Sequence, residues 1–133
     1  DDVYVVGQSA CAKQELIDIA GKAAEGFLVL SNFATDLDYK PMQDYKKLYE
    51  DTFGVQLDNH ACTTYDCINI VVNAISAVGT KGTDIVKWVK AQPKFEGVCG
   101  DFTFNEYGDP DKPNIPLICK DGKFVIHESY KNK

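Results

Sequence analysis

Residues 95–121 read FEGVCGDFTFNEYGDPDKPNIPLICKD, and this stretch decides how the chain folds at its end. Phe102 and Phe104 alternate with polar neighbours, a pattern that predicts a strand over residues 100–105 with one buried face. Glycine and proline in residues 107–110 indicate a sharp turn after that strand. The stretch supplies strands and turns but no catalytic constellation.

The same stretch continues into a second predicted strand over residues 115–119. Asp121 and Gly122 follow it and stand between two strand-like runs. This dipeptide favours a two-residue hairpin turn, because both of its residues must adopt positive φ. We therefore expect the chain to fold back on itself and to pair through residues 123–127.

Composition limits the class of protein. The chain has 133 residues, 44% of them hydrophobic and 26% charged, and a formal net charge of -6. This length suits one domain with a real core, and the acidic balance argues against a nucleic-acid partner. No apolar run reaches the roughly 20 residues of a membrane-spanning helix.

The first third of the chain reads as strand, helix, strand. Residues 3–6 (VYVV) predict a short buried strand, and a loop and a helix ending near Ala20 follow it. Residues 26–30 (GFLVL) predict a second, uninterrupted apolar strand. Such strands separated by a helix are typical of a parallel sheet that is covered on both faces.

Three helices are expected in the middle of the chain, after a polar linker over residues 31–39. Pro41 suits the first turn of the first helix, which Gly54 would end. The second helix is predicted over residues 62–78 and, being apolar over a broad arc, should be largely buried. Thr83 is the expected N-cap of the third.

Several motifs follow one another in a particular order. They are IAGKAAEG (19–26), TYD (64–66), FEGVCGDFTFNEYGD (95–109) and KDGKF (120–124). In this order and spacing the chain resembles the C-terminal portion of the solute-binding proteins of branched-chain amino-acid ABC transporters, the type I periplasmic binding proteins. The resemblance covers nearly the whole chain.

The resemblance implies an α/β fold. Each lobe would be three-layered and Rossmann-like, with a mainly parallel sheet and a C-terminal β-hairpin. Residues 1–31 would belong to the second lobe, residues 32–111 to the first lobe, and residues 112–133 would return to the second. Family members are longer and bind their ligand between two lobes, so we expect this chain to carry only part of the cleft.

The family also implies a location and partners. The location would be the periplasm or the extracellular face, with or without a lipid anchor, although residues 1–7 lack the features of an export signal. The partners would be a small-molecule solute, the membrane permease of an ABC transporter and the remaining N-terminal part of the same protein. No cofactor is expected, and incomplete lobe faces would favour self-association of this chain.

Gln8 and Ser9 are the first candidate ligand contacts. They follow the first predicted strand, and α/β sheets bind ligands beyond the carboxyl ends of their strands. Amide groups at the start of the following helix would favour an anionic group. In relatives the position of Ser9 often carries an acidic residue that pairs with an amino-acid ammonium, and serine there weakens that specificity. Ser9 could instead only cap the helix.

His60 is the third candidate. The resemblance aligns it with a position that is often aromatic and faces the cleft, where an imidazole could stack on a ligand or hydrogen-bond to it. The alternative is an ordinary histidine of a surface loop. Asp66, in the TYD motif, is expected to favour a helix start through the helix dipole.

The odd number of cysteines, five, indicates small thiols packed in the core, although the sequence also allows one disulfide. A zinc site is not expected, because Cys62 and Cys67 would point to different faces of one helix and no fourth ligand has metal spacing.

No nucleophile elbow, phosphate-binding loop or dinucleotide fingerprint occurs, so no catalytic residue is assigned. The sequence leaves two alternatives to a transport protein. One is the ligand-sensing domain of a receptor with the same fold, and the other is a small flavodoxin-like α/β enzyme.

Overall fold

The computed structural model describes residues 3–130. The chain forms two compact units. Among the described residues, unit 1 contains residues 3–38 and 113–130, and unit 2 contains residues 39–112. Residues 1, 2 and 131–133 lie outside the described part. The assignment of these five residues to the second lobe therefore also lies outside it.

Unit 1 is built on a four-stranded mixed sheet. Its strands are β1 (Val6–Gln8), β2 (Leu28–Ser31), β6 (Ile115–Lys120) and β7 (Lys123–Ile126), in the order β1-β2-β6-β7. The β1–β2 pair is parallel, as expected, whereas β2–β6 and β6–β7 are antiparallel. The α/β class is confirmed, but parallel pairing is restricted to one pair among the described strands.

The core of unit 1 follows the alternation of its strands. Ile115, Leu117 and Cys119 are buried at every second position of β6, so one face of this strand points inward. Helix α1 (Gln14–Ala20) adds Ile17, which clusters with Cys119 and Ala24. Burial of these side chains is the main stabilising contribution in this unit.

The hairpin prediction at the end of the chain is confirmed. Asp121 has φ 52° and Gly122 has φ 72°, and Lys120 pairs with Lys123 across the turn. Both central residues thus adopt the left-handed conformation that a tight hairpin turn requires.

Two expectations for unit 1 are wrong. The predicted buried strand at residues 3–6 is displaced, since β1 begins only at Val6, and Val3 and Val5 are 79% and 59% exposed. The segment after β2 was expected to be a polar linker, but it buries Phe33, Ala34 and Leu37. Apolar runs in the sequence located the strand approximately, but they did not indicate which residues are buried against other parts of the unit.

Unit 2 begins with helix α2 (Lys40–Phe53), which carries Pro41 in its first turn and ends at Gly54 with φ 69°. Both end signals are confirmed. Helix α4 (Gly82–Ala91) follows later, and its N-cap is Lys81 rather than the expected Thr83. Thr83 therefore lies inside the first turn of α4.

Helix α3 (Asn59–Val78) departs most from expectation. It begins three residues before the predicted start, because Asp58 Oδ1 accepts a hydrogen bond from Ala61 N at 2.8 Å and caps it. Its buried residues are Cys62, Asp66 and Ala74, so the prediction of a largely buried helix is wrong. We call its exposed apolar residues the α3 stripe: Tyr65, Ile68, Val71, Val72, Ile75 and Val78.

By length and composition alone, α3 is apolar enough to cross a membrane, the one such helix in residues 3–130. Its other face packs within unit 2 through Cys62, Asp66 and Ala74. The α3 stripe is therefore the exposed apolar side of a helix whose opposite side is packed.

A small antiparallel sheet completes unit 2. It contains β3 (Phe95–Gly97), β4 (Gly100–Phe104) and β5 (Pro110–Asp111). Phe95 contacts the rings of Phe102, Phe104 and Trp88, with centroids 5.7, 5.7 and 6.3 Å away. This aromatic cluster explains the alternation of phenylalanines along β4.

Candidate functional site

Gln8 and Ser9 lie where the candidate site was expected, at the carboxyl end of β1 in unit 1. Gln8 is the last residue of β1, is exposed and pairs with Leu30. Ser9 is half-buried, and its carbonyl accepts a hydrogen bond from Ala12 N at 3.1 Å. The geometry puts two polar side chains at a strand end, as ligand sites of α/β sheets require.

Gly7 allows close packing against the backbone at this edge. A Cβ on Gly7 would lie 2.8 Å from Phe27 Cζ and 3.0 Å from Cys11 Cβ, which is closer than van der Waals contact permits. The Phe27 ring therefore packs directly on the backbone before Gln8, and any larger residue at position 7 would displace it.

The helix expected directly after Ser9 is not there. Residues Ser9–Cys11 form a 3-10 turn, and α1 begins only at Gln14, with Lys13 as its N-cap. Ser9 therefore does not cap α1, and the predicted row of helix amides beside it is wrong. The polar groups at this strand end are those of Gln8 and Ser9 themselves.

His60 belongs to unit 2 and lies in the first turn of α3 rather than in a loop. Its side chain is 61% exposed, and its Nδ1 lies 3.8 Å from Asp58 Oδ2. Because Asp58 also caps α3, the imidazole is held near a fixed carboxylate at an accessible helix end. The ring remains available for stacking or hydrogen bonding.

Asp66 has a role that the sequence did not reveal. It is 8% exposed, and its two carboxylate oxygens accept hydrogen bonds from Val98 N at 2.8 Å and Cys99 N at 3.3 Å. It lies two turns inside α3, so the predicted role at the helix start is wrong. We call this arrangement the Asp66 clasp, since it ties α3 to the turn between β3 and β4.

Gly97 makes the Asp66 clasp possible. A Cβ at position 97 would lie 2.8 Å from Asp66 Cγ, so only glycine admits the carboxylate this close. The glycines on either side of Val98 and Cys99 were a usable signal of close backbone approach, but the sequence did not say which side chain approaches.

A cavity of about 660 Å³ adjoins the clasp within unit 2. Aromatic and amide groups line much of it, among them Tyr65, Trp88, Phe95, Asn69 and Gln92. It can offer stacking and hydrogen bonding to a molecule, and it was not anticipated from the sequence.

The charged groups at this cavity are already paired. Lys94 Nζ donates to Asp101 at 2.8 Å and lies 3.1 Å from Glu96, and these hydrogen bonds, that to Asp101 first, raise the pKa of Lys94. Tyr39 Oη donates to Asp101 at 3.1 Å, and burial followed by this hydrogen bond raises the pKa of Tyr39 to about 12. Such a paired network positions side chains rather than supplying a reactive acid or base.

Metal chemistry finds no support within residues 3–130, where no group of three or more His, Cys, Asp and Glu side chains could hold an ion. Cys62 is buried and Cys67 is exposed, as expected for residues on different faces of α3. Cys62, Cys99 and Cys119 are buried, which agrees with small core-packing residues, whereas Cys11 is half-buried.

Comparison with known proteins defines the class. Residues 1–115 match the family model described as periplasmic binding protein, and the chain belongs to this family. The family description implies an extracytoplasmic location. The resemblance noted in the sequence is thereby confirmed.

The chain is 30% identical over 105 residues to the Leu/Ile/Val-binding protein homolog 1 of Brucella abortus, covering 77% of this chain and 28% of that protein. It thus spans less than a third of that relative's length.

Two solved structures share the fold. A leucine-binding protein, LivK, of Thermotoga maritima matches with TM-score 0.83 and 22% identity, over 96% of this chain and 37% of that one. The isoleucine-bound LivJ of Streptococcus pneumoniae matches with TM-score 0.80 and 22% identity, over 92% and 36%.

Proposed function

We propose that this chain is part of the extracytoplasmic solute-binding component of an ABC importer. The observation that carries the proposal is the family match over residues 1–115, on a chain that divides into two compact units. The solute is a small polar molecule, an amino acid or a related carboxylate or amide, held between two lobes. Closure of the lobes around it would present the closed form to the membrane permease.

The division into units supports the proposed lobe assignment. Residues 1–31 and 112–133 would belong to the second lobe and residues 32–111 to the first. The compact units meet this division within a few residues, since unit 2 contains residues 39–112. The crossing segments would then be residues near 38 and 112, where a hinge needs few altered backbone angles.

The α3 stripe supports a missing partner surface. Ile68, Val71 and Val72 are 57%, 47% and 53% exposed, on a helix that packs its opposite face within unit 2. A contiguous apolar surface of this kind is typical of an interface. We propose that the remaining N-terminal part of the same protein covers it, as the greater length of the relatives suggests.

Gln8, Ser9 and His60 are the proposed solute contacts. Gln8 and Ser9 offer an amide and a hydroxyl at the end of a parallel strand, and His60 offers an exposed imidazole at the start of α3. These groups donate and accept hydrogen bonds, which suits a small solute that bears carboxylate or amide groups.

Calorimetric titration of the longer protein with amino acids and related carboxylates and amides tests this proposal. Ser9→Ala and His60→Ala should each weaken binding by about tenfold, because each removes a hydrogen-bonding partner of a desolvated solute. Ser129→Ala and His127→Ala are matched controls that should leave affinity unchanged. If neither Ser9→Ala nor His60→Ala changes affinity by more than a few-fold, the site assignment is wrong.

A further inference from the structure

Two thiols of unit 2 lie together in its interior. Cys62 on α3 and Cys99 in the turn between β3 and β4 are both buried there, on the two elements that the Asp66 clasp joins. Their residues are 0% and 2% exposed, so neither thiol has solvent as an alternative partner. Far apart in the sequence, they are brought together by the fold alone.

The Asp66 clasp fixes the turn that carries Cys99 against α3, which carries Cys62. Asp66 lies one helical turn after Cys62 on the same face of α3, and one of its carboxylate oxygens accepts a hydrogen bond from the backbone N of Cys99 at 3.3 Å. A second bond, from Val98 N at 2.8 Å, fixes the turn from the preceding residue. These two bonds fix the backbone that carries Cys99 next to the segment of α3 that carries Cys62.

We propose that Cys62 and Cys99 form an intramolecular disulfide that locks α3 to the turn between β3 and β4. The proposal concerns these two residues and no other pair. Cys67 is exposed on the opposite side of α3, and Cys11 and Cys119 belong to unit 1. The occurrence of the bond in the cell rests on the proposed extracytoplasmic function, since disulfides persist in oxidising compartments.

The oxidant is a low-molecular-weight or protein disulfide, R–S–S–R. One cysteine thiolate attacks a sulfur of R–S–S–R, forms a mixed disulfide and releases the first R–S⁻. The second cysteine thiolate then attacks the cysteine sulfur of the mixed disulfide and releases the second R–S⁻. The two thiol protons end on two R–SH molecules, and two electrons pass from the cysteine pair to the oxidant.

The surroundings of the pair decide when this exchange takes place. The hydrogen bond to Cys99 and then burial raise the pKa of the Cys62 thiol, so little thiolate is present in the folded chain. Exchange is therefore expected to be slow in the folded state and rapid while the chain folds. The bond should form during folding and then be protected from reductants by the same burial.

The test uses a chain in which only the pair remains, C11S/C67S/C119A. It is refolded from the reduced, denatured state in a mixture of glutathione and glutathione disulfide. The expected product is a monomer with no reactive thiol after denaturation and a mass lower by two hydrogens. The same chain with Cys62→Ala or Cys99→Ala added is the matched control, because it retains one thiol and cannot form an internal disulfide.

A second measurement avoids any effect of the substitutions at Cys11, Cys67 and Cys119 on folding. The unaltered chain is refolded in the same way, and proteolytic peptides are mapped for a link between Cys62 and Cys99. The oxidised form should unfold with an equilibrium constant lowered by about a hundredfold, and reductant should reverse the change. Two free thiols at positions 62 and 99 in the refolded, unaltered chain would overturn the proposal. Solute binding does not enter either readout, so a failed transport assignment would leave this result standing.

Discussion

The β6–β7 hairpin and helix α3 are both strongly apolar, yet they behave in opposite ways. In the hairpin, Ile115, Leu117 and Cys119 are no more than 3% exposed, because they share the face of β6 that packs inside unit 1, where Cys119 contacts Ile17 and Ala24. In α3, the α3 stripe stays exposed while the opposite face packs in unit 2. The same sequence signal therefore marks a completed core in one unit and an exposed apolar surface in the other.

The largest expected effect contrasts one residue from each region. Leu117→Ala should destabilise the chain by about 2–5 kcal/mol, because it removes a buried side chain and leaves a cavity. Ile68→Ala should change stability by less than about 0.5 kcal/mol, because the side chain is already 57% exposed. Urea denaturation of the two variants measures the difference. Equal losses would mean that the α3 stripe is covered in solution.

Loss of the Asp66 clasp should cause the second-largest decrease in stability. Asp66→Ala leaves the amides of Val98 and Cys99 without their acceptor, which costs about 2 kcal/mol for buried donors. Asn69→Ala removes an exposed polar side chain of the same helix and is the matched control. A denaturation midpoint for Asp66→Ala equal to that of the control would show that the clasp contributes nothing to stability.

A substitution in the hairpin turn should cause a smaller loss of stability. Gly122→Ala puts a Cβ on a residue with φ 72° and should destabilise unit 1 by about 1 kcal/mol. Gly82→Ala, in the first turn of α4 and with nothing near its added Cβ, should be neutral or slightly stabilising. Thermal denaturation distinguishes them, and a neutral Gly122→Ala would contradict the assigned turn.

The smallest effect concerns pH. The pKa of Tyr39 is raised from 10.0 to about 12 in the folded chain, so folding favours the protonated phenol. This stabilisation is complete below pH 10 and is lost as pH rises through about 12. Tyr39→Phe should reduce the loss of stability in this window, whereas Tyr107→Phe, at a side chain 82% exposed, should not. Denaturation midpoints measured across the window decide between the two.

Local signals predicted the hairpin turn, the end of α2 and the strand neighbourhoods correctly. Asp121 and Gly122 specify their turn by backbone sterics, and Gly54 ends a helix for the same reason. These outcomes depend on a few adjacent residues, so the sequence alone contains them.

Contacts between distant residues could not be read in the same way. The role of Asp66 depends on a turn more than thirty positions later, and only the glycine at position 97 hinted at close approach. The start of α3 was misplaced because the Asp58 cap was overlooked, and its burial was overestimated because periodicity does not say whether a partner surface is present. Gln8, Ser9 and His60 stay predictions, since a strand end and a helix start mark a place but not a ligand.

We propose that this chain supplies only part of a solute-binding cleft, the rest coming from other residues of the same protein. Calorimetric titration of this chain alone and of the longer protein with the same amino acids and related carboxylates compares the two. We expect measurable affinity for the longer protein and none for this chain. Equal affinity of the two for the same solute would contradict it.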